Sequence, residues 1–285
     1  ERLETEPFAA PVTLTSRYGA EDYTATAALV VSSRYFCFGG ATVLDDLLLQ
    51  TSINAYLYSG TELTVTDSVR TSMTNTDAKL SIYAGWQTAR CAHVRLELGG
   101  GTFTQILLGS SKGVDEVDAH FSGDLYVNSN VTLGSSGKNG TLRLTMDGGC
   151  IETLYATPRS GGRTDRVELI LRGGQFETVE DYPKLTKTTT LGDLTVDLYP
   201  GFLCDNVGAW TDTKLKLTGT RTFNWMDYPG GSLRGLAQYD RVNLLGGEAV
   251  PEALDGRYVR LYGYQGQSSV DAAGFPALYV DGGSD

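Results

Sequence analysis

In three neighbouring stretches of this chain, Leu142 to Met146, Val167 to Leu171 and Leu194 to Leu198, an apolar residue occupies every second position. Side chains of a β-strand point alternately to opposite faces, so Leu142, Leu144 and Met146 share one face and Arg143 and Thr145 the other. A helix would instead carry apolar residues at i, i+3, i+4 and i+7, and these segments do not. Each stretch runs into a turn signal, Gly148-Gly149, Gly173-Gly174 or Pro200-Gly201, and then into a second short apolar stroke. The copies begin 25 and 27 residues apart, and Val94-Arg-Leu-Glu-Leu-Gly-Gly-Gly lies 48 residues before Leu142, which is two such steps. Weaker copies follow at Leu215 and Val242. Periods of this length mark units that cannot bury an apolar face alone and stack on their neighbours. The pattern predicts an all-β parallel solenoid.

After each corner, Phe103 and Ile106, Ile151 and Leu154, and Phe176 and Val179 fall at matching places and predict a second interior row. Glycine suits the corners because positive φ is nearly free only without a Cβ. Leu80-Ser-Ile-Tyr-Ala-Gly-Trp resembles a repeat but precedes Val94 by only 14 residues, too few for a coil, and leaves the register there unset. Residues 1–33 do not match the pattern and are assigned to an N-terminal cap, with the solenoid occupying 34–285 as one domain overall. Polar segments at 110–118, 135–140, 156–165 and 180–190 read as loops. Insertions on one side of a solenoid often build its binding surface.

Composition narrows the function. A formal charge of −11 and a pI near 4.7 oppose nucleic-acid binding, which requires clustered Lys and Arg against phosphates. No apolar run reaches the length of a membrane-spanning helix, so no membrane insertion is expected within this segment. Cys37, Cys91, Cys150 and Cys204 include no Cys-x-x-Cys pair and read as free thiols filling interior gaps, with a disulfide as the alternative.

The recurring apolar-x-apolar-x-apolar-x-Gly-Gly-x-Phe/Ile rung, strongest from Val94 to Val207, resembles single-stranded right-handed parallel β-helix proteins, in particular adhesin-like surface proteins of gut bacteria. The resemblance implies an extracellular or cell-surface location. That class also contains polysaccharide lyases, glycoside hydrolases, phage tailspikes and non-catalytic adhesins, so fold alone does not select a function.

Candidate chemistry is sparse. Asp45-Asp46 and Asn75-Thr76-Asp77 look like polygalacturonase acids, but the order is reversed and that family's Gly-His-Gly and Arg-Ile-Lys signatures are missing. His93 and His120, the only histidines, stand in no nucleophile motif. The acids Asp115, Glu116, Asp118, Glu180 and Asp181 read as loop carboxylates, where a Ca²⁺ ion could sit although a solvated loop suffices; no other cofactor is expected. Asp147 with Arg172, and Glu168 with Thr195, fall into shared columns that cross-strand pairing explains without catalysis. Aromatic residues carry the functional expectation, because flat amphipathic rings stack on sugar faces. Tyr155, Tyr182, Trp210, Trp225 and Tyr228 are the candidate ligand contacts, the first two because they open successive loops on one side. The sequence thus points to non-catalytic binding of a carbohydrate or host-surface glycoconjugate. A lyase or hydrolase of acidic polysaccharide and a structural stalk are the alternatives.

Overall fold

The computed structural model describes residues 10–23, 27–180, 182, 183 and 188–195 with their side chains, save those of Tyr18 and Glu180, and from 196 on the backbones of the strands named below. Every strand is built from the short alternating segments the sequence displays. β1 (Val12–Thr15), β4 (Ala28–Val31) and β5 (Tyr35–Phe38) begin the stack, and between them β2 (Arg17–Tyr18) and β3 (Glu21–Asp22) form a small antiparallel pair. Next come β6 (Thr42–Asp45), β7 (Leu48–Thr51) and β8 (Ala55–Ser59), then β9 (Glu62–Val65), β10 (Arg70–Met73) and β11 (Leu80–Ala84). From there each coil has two longer strands: β12 (Cys91–Leu98) with β13 (Thr102–Leu108), β14 (Val114–Phe121) with β15 (Tyr126–Leu133), and β16 (Lys138–Met146) with β17 (Cys150–Tyr155). β18 (Arg163–Leu171) with β19 (Gln175–Glu180) and β20 (Thr190–Leu198) with β21 (Leu203–Val207) continue the series. β22 (Lys216–Leu217), β23 (Arg221–Tyr228), β24 (Arg241–Leu244), β25 (Tyr258–Leu261) and β26 (Ala277–Val280) complete it.

These strands pair in parallel across successive coils into a solenoid. The first wall runs β1-β6-β9-β12-β14-β16-β18-β20-β23-β24-β25-β26, the second runs β5-β8-β11-β13-β15-β17-β19-β21, and a third wall, β4-β7-β10, exists only in the early coils. Leu80–Ala84 therefore belongs to the second wall and Cys91–Leu98 to the first, which is why their spacing is too short for a coil. Parallel pairing also starts before residue 34, since Val12 stands against Thr42 and Ala28 against Leu48.

The interior is a continuous apolar column. Leu96, Ala119, Leu144 and Leu169 stand one above another, all buried, and Ile82, Ile106, Val131, Leu154 and Val179 do the same opposite them. Phe38, Phe103 and Phe121 are the largest side chains wholly enclosed. Cys91 fits the expected interior thiol, and burial pushes its pKa up; Cys37 and Cys150 are free but only half-buried. Cys204 lies on β21, where only the backbone is described.

The glycine corners stack as well. Gly149 has φ +93° and Gly174 φ +94°, and the Gln175 amide donates to the Gly149 carbonyl at 2.9 Å. A Cβ on Gly149 would stand 2.8 Å from the Leu125 carbonyl oxygen, a rigid backbone atom one coil away. Gly149→Ala is expected to destabilise the protein by about 1–3 kcal/mol, combining strained φ with a clash. Leu144→Ala is expected to cost about 2–5 kcal/mol through an unfilled cavity. Denaturant unfolding of both variants checks this; unchanged midpoints would contradict the stacked-corner geometry.

Candidate functional site

Outward residues of the first wall follow the same vertical register as the core. Arg95 of β12, Asp118 of β14, Arg143 of β16 and Glu168 of β18 form one column, with Glu62 of β9 beneath. Parallel rungs stand about 4.8 Å apart, so like charges in one column would repel; here the sign alternates from coil to coil. Arg143 bridges its neighbours, contacting Asp118 in the coil before and Glu168 in the coil after, the latter at 2.7 Å. The hydrogen bond to Glu168 holds the Arg143 guanidinium above its ordinary pKa. Arg166 also reaches Glu168 at 2.7 Å, and Arg95 pairs with Glu97 at 2.9 Å.

The adjacent column holds Glu97, His120 and Thr145. His120 is clamped between carboxylates: Nδ1 stands 2.8 Å from Glu97 and Nε2 2.7 Å from Asp147. Burial alone lowers the imidazole pKa, but hydrogen bonds to Asp147 and Glu97 outweigh it, and the net position is above the ordinary value. Two ring nitrogens that both meet carboxylates must both donate, which is the protonated form. Asp147 also stands 4.0 Å from Arg172, as the column reading of the sequence anticipates.

Toward the start of these strands His93 stands over Glu116 in register, with Nε2 3.0 Å from Asp118. Ligand atoms of His93, Glu116 and Asp118 lie within 4.8 Å of one another. Between these columns opens a trough of about 340 Å³, lined by His93, Arg95, Glu97, Asp118, Ala119, His120, Arg143 and Thr145.

Three of the predicted loop acids are placed differently from expectation. Asp115, Glu116 and Asp118 lie on strand β14, whose Val114, Val117, Ala119 and Phe121 are buried in the core. Polar outward residues and the small Ala119 hide this rung in the sequence. Asp115 pairs with Arg90; Glu180 ends strand β19, and Asp181 lies outside the described residues. Tyr155 and Tyr182 are brought together, their rings edge to face at 5.1 Å, both half-buried. Trp225 and Tyr228 stand on β23 of the first wall, and Trp210 lies outside the described residues.

A second aromatic group escapes sequence reading because its members come from separate coils. Tyr35 stacks on Tyr56 at 5.7 Å, Tyr58 meets Tyr83 at 5.0 Å, and the Arg34 guanidinium lies over Tyr35 and Tyr56. Burial raises the Tyr58 pKa, so its hydroxyl stays protonated. No family model, curated protein or solved structure matches the chain.

Because the folded His120 pKa lies above the unfolded value of about 6.5, its clamp stabilises fully below that pH and loses its contribution as pH rises through the folded value. Its imidazole is over a third exposed, so solvent screening keeps the effect under about 1 kcal/mol. Stability measured in EDTA from pH 5.5 to 8.5 is expected to fall more with rising pH in the parent than in His120→Gln, with Glu97, Asp147, Arg95 and Arg172 retained. Parallel curves would contradict the clamp.

Proposed function

We propose that this is an extracellular bacterial surface protein, adhesin-like and non-catalytic, that binds neutral glycans or a glycan-bearing host surface on the outer face of its first wall. The trough over β12, β14 and β16 carries the reading. Guanidinium and carboxylate groups offer paired donors and acceptors that suit adjacent sugar hydroxyls. Here they already hold one another in place, which lowers the side-chain entropy lost on binding. The volume of about 340 Å³ falls at the lower end of small-ligand sites, ~300–1,000 Å³. The protein charge of −11 opposes a polyanionic partner, which favours neutral sugars over acidic polysaccharide. The likeness of the rungs to adhesin-like solenoids supports a place outside the cell.

The catalytic alternative, a polysaccharide lyase or hydrolase, fares worse on the same residues. A general base needs a lone pair within reach of substrate, and His120 has both nitrogens committed to Glu97 and Asp147.

A glycan array in EDTA-containing buffer is the test. The parent is expected to bind one or more neutral glycans, Arg95→Ala is expected to weaken binding about tenfold by removing one charged hydrogen-bonding partner, and no reducing or unsaturated ends should be released from bound polysaccharide. Failure of the parent to bind any glycan overturns the proposal. Loss of binding in Tyr155→Ala or Tyr182→Ala with Arg95→Ala unaffected would move the site to the second wall.

A further inference from the structure

We propose that His93, Glu116 and Asp118 form a site for one divalent transition-metal ion of the Zn²⁺ class on the outer face of the first wall. The backbone sets this arrangement. His93 of β12 stands directly against Glu116 of β14 in the parallel register. Asp118 follows two residues along β14 and so shares the same face. One residue pair across the ladder and one along the strand make a triangle whose corners the rungs hold fixed. The three ligand atoms lie within 4.8 Å of one another, and His93 Nε2 is already 3.0 Å from Asp118 Oδ2. Donors of a tetrahedral site stand roughly 3.3 Å apart, given bonds of about 2.0–2.1 Å. Small side-chain rotations therefore close the set around an ion.

The donor mix selects the metal. One imidazole with two carboxylates suits Zn²⁺ and related ions and leaves a fourth position for water or a ligand. Ca²⁺ takes about six to eight oxygens, more than these residues supply. Charge also balances: two carboxylates and a neutral imidazole offset a dication.

Arg143 is the competitor. It contacts Asp118 and stands 3.9 Å from Glu116, but it also holds Glu168 at 2.7 Å. When the ion enters, Asp118 exchanges a guanidinium for the metal, while Arg143 keeps Glu168 as a neutral pair. The side chains of His93, Glu116 and Asp118 are 52%, 45% and 34% exposed, so an ion can reach them from solvent. That exposure and the competition place the affinity in the micromolar range. Two of the three ligands, His93 and Asp118, also line the trough. The metal site stands apart from saccharide binding, which is assayed in EDTA and is therefore free to fail or succeed separately.

The test is calorimetric titration of untagged full-length chain with ZnCl₂ in buffer holding excess Mg²⁺ and Ca²⁺, which occupy the acidic surface non-specifically. One saturable site is expected, with Co²⁺ giving visible tetrahedral absorption at the same stoichiometry. His93→Ala is expected to weaken Zn²⁺ binding at least about tenfold, the cost already attached to losing an outer partner of a metal ligand. The double variant Glu116→Gln with Asp118→Asn should lose it too, and His120→Gln should bind as the parent does. Circular dichroism establishes that each variant is folded. Only weak, non-saturating heats from the parent, or a site that survives in His93→Ala or in the double variant, overturns the proposal.

Discussion

A parallel hydrogen-bonded ladder places each residue directly over its counterpart one coil below, about 4.8 Å away. Every other feature of this protein answers to that constraint. Inside, it permits only apolar residues that pack against apolar residues, as Leu96, Ala119, Leu144 and Leu169 do. At the corners it brings backbone against backbone, and a Cβ at Gly173 would meet the Asp147 carbonyl oxygen at 2.4 Å. Outside, it forbids vertical runs of like charge, and Glu62, Arg95, Asp118, Arg143 and Glu168 alternate accordingly. One geometric rule thus writes three kinds of column.

The outer wall acquires its functional character from the same source. A side chain in such a ladder has partners above and below, so Arg143 and His120 are each gripped from two coils. Groups held this way are oriented before any ligand arrives. The structural role and the binding role draw on the same contacts: a charged column keeps the rungs in register and leaves ordered donors and acceptors facing solvent. The individual ion pairs are partly exposed, and each contributes about 0–1 kcal/mol. Their value lies in fixing position more than in adding stability.

Much of this was legible in the chain because inward positions obey a strict period of two. Leu142, Leu144 and Met146, and across the coil Ile151 and Leu154, announce both walls. Strand β14 was not legible, since Ala119 breaks the large-apolar pattern and Asp115, Glu116, Asp118 and His120 give it the composition of a loop. The trough was harder still. It joins His93, Asp118 and Arg143, whose adjacency depends on a register that only the intervening coil lengths set. The Asp147 and Arg172 column could be read because both residues flank recognisable glycine corners. The tyrosines at 35, 56, 58 and 83 come from three coils and carry no common spacing that marks them as neighbours.

The most direct measurement of whether period-two alternation decides inside from outside compares two adjacent residues of similar hydrophobicity on β18. Leu169 is wholly buried, whereas Ile170 faces outward and is half-buried. Thermal unfolding of Leu169→Asp and Ile170→Asp separates them by phase alone. Collapse of the folded state for Leu169→Asp with near-parent behaviour for Ile170→Asp is the predicted result. Equal tolerance, or the reverse order, would contradict a dry column behind this wall.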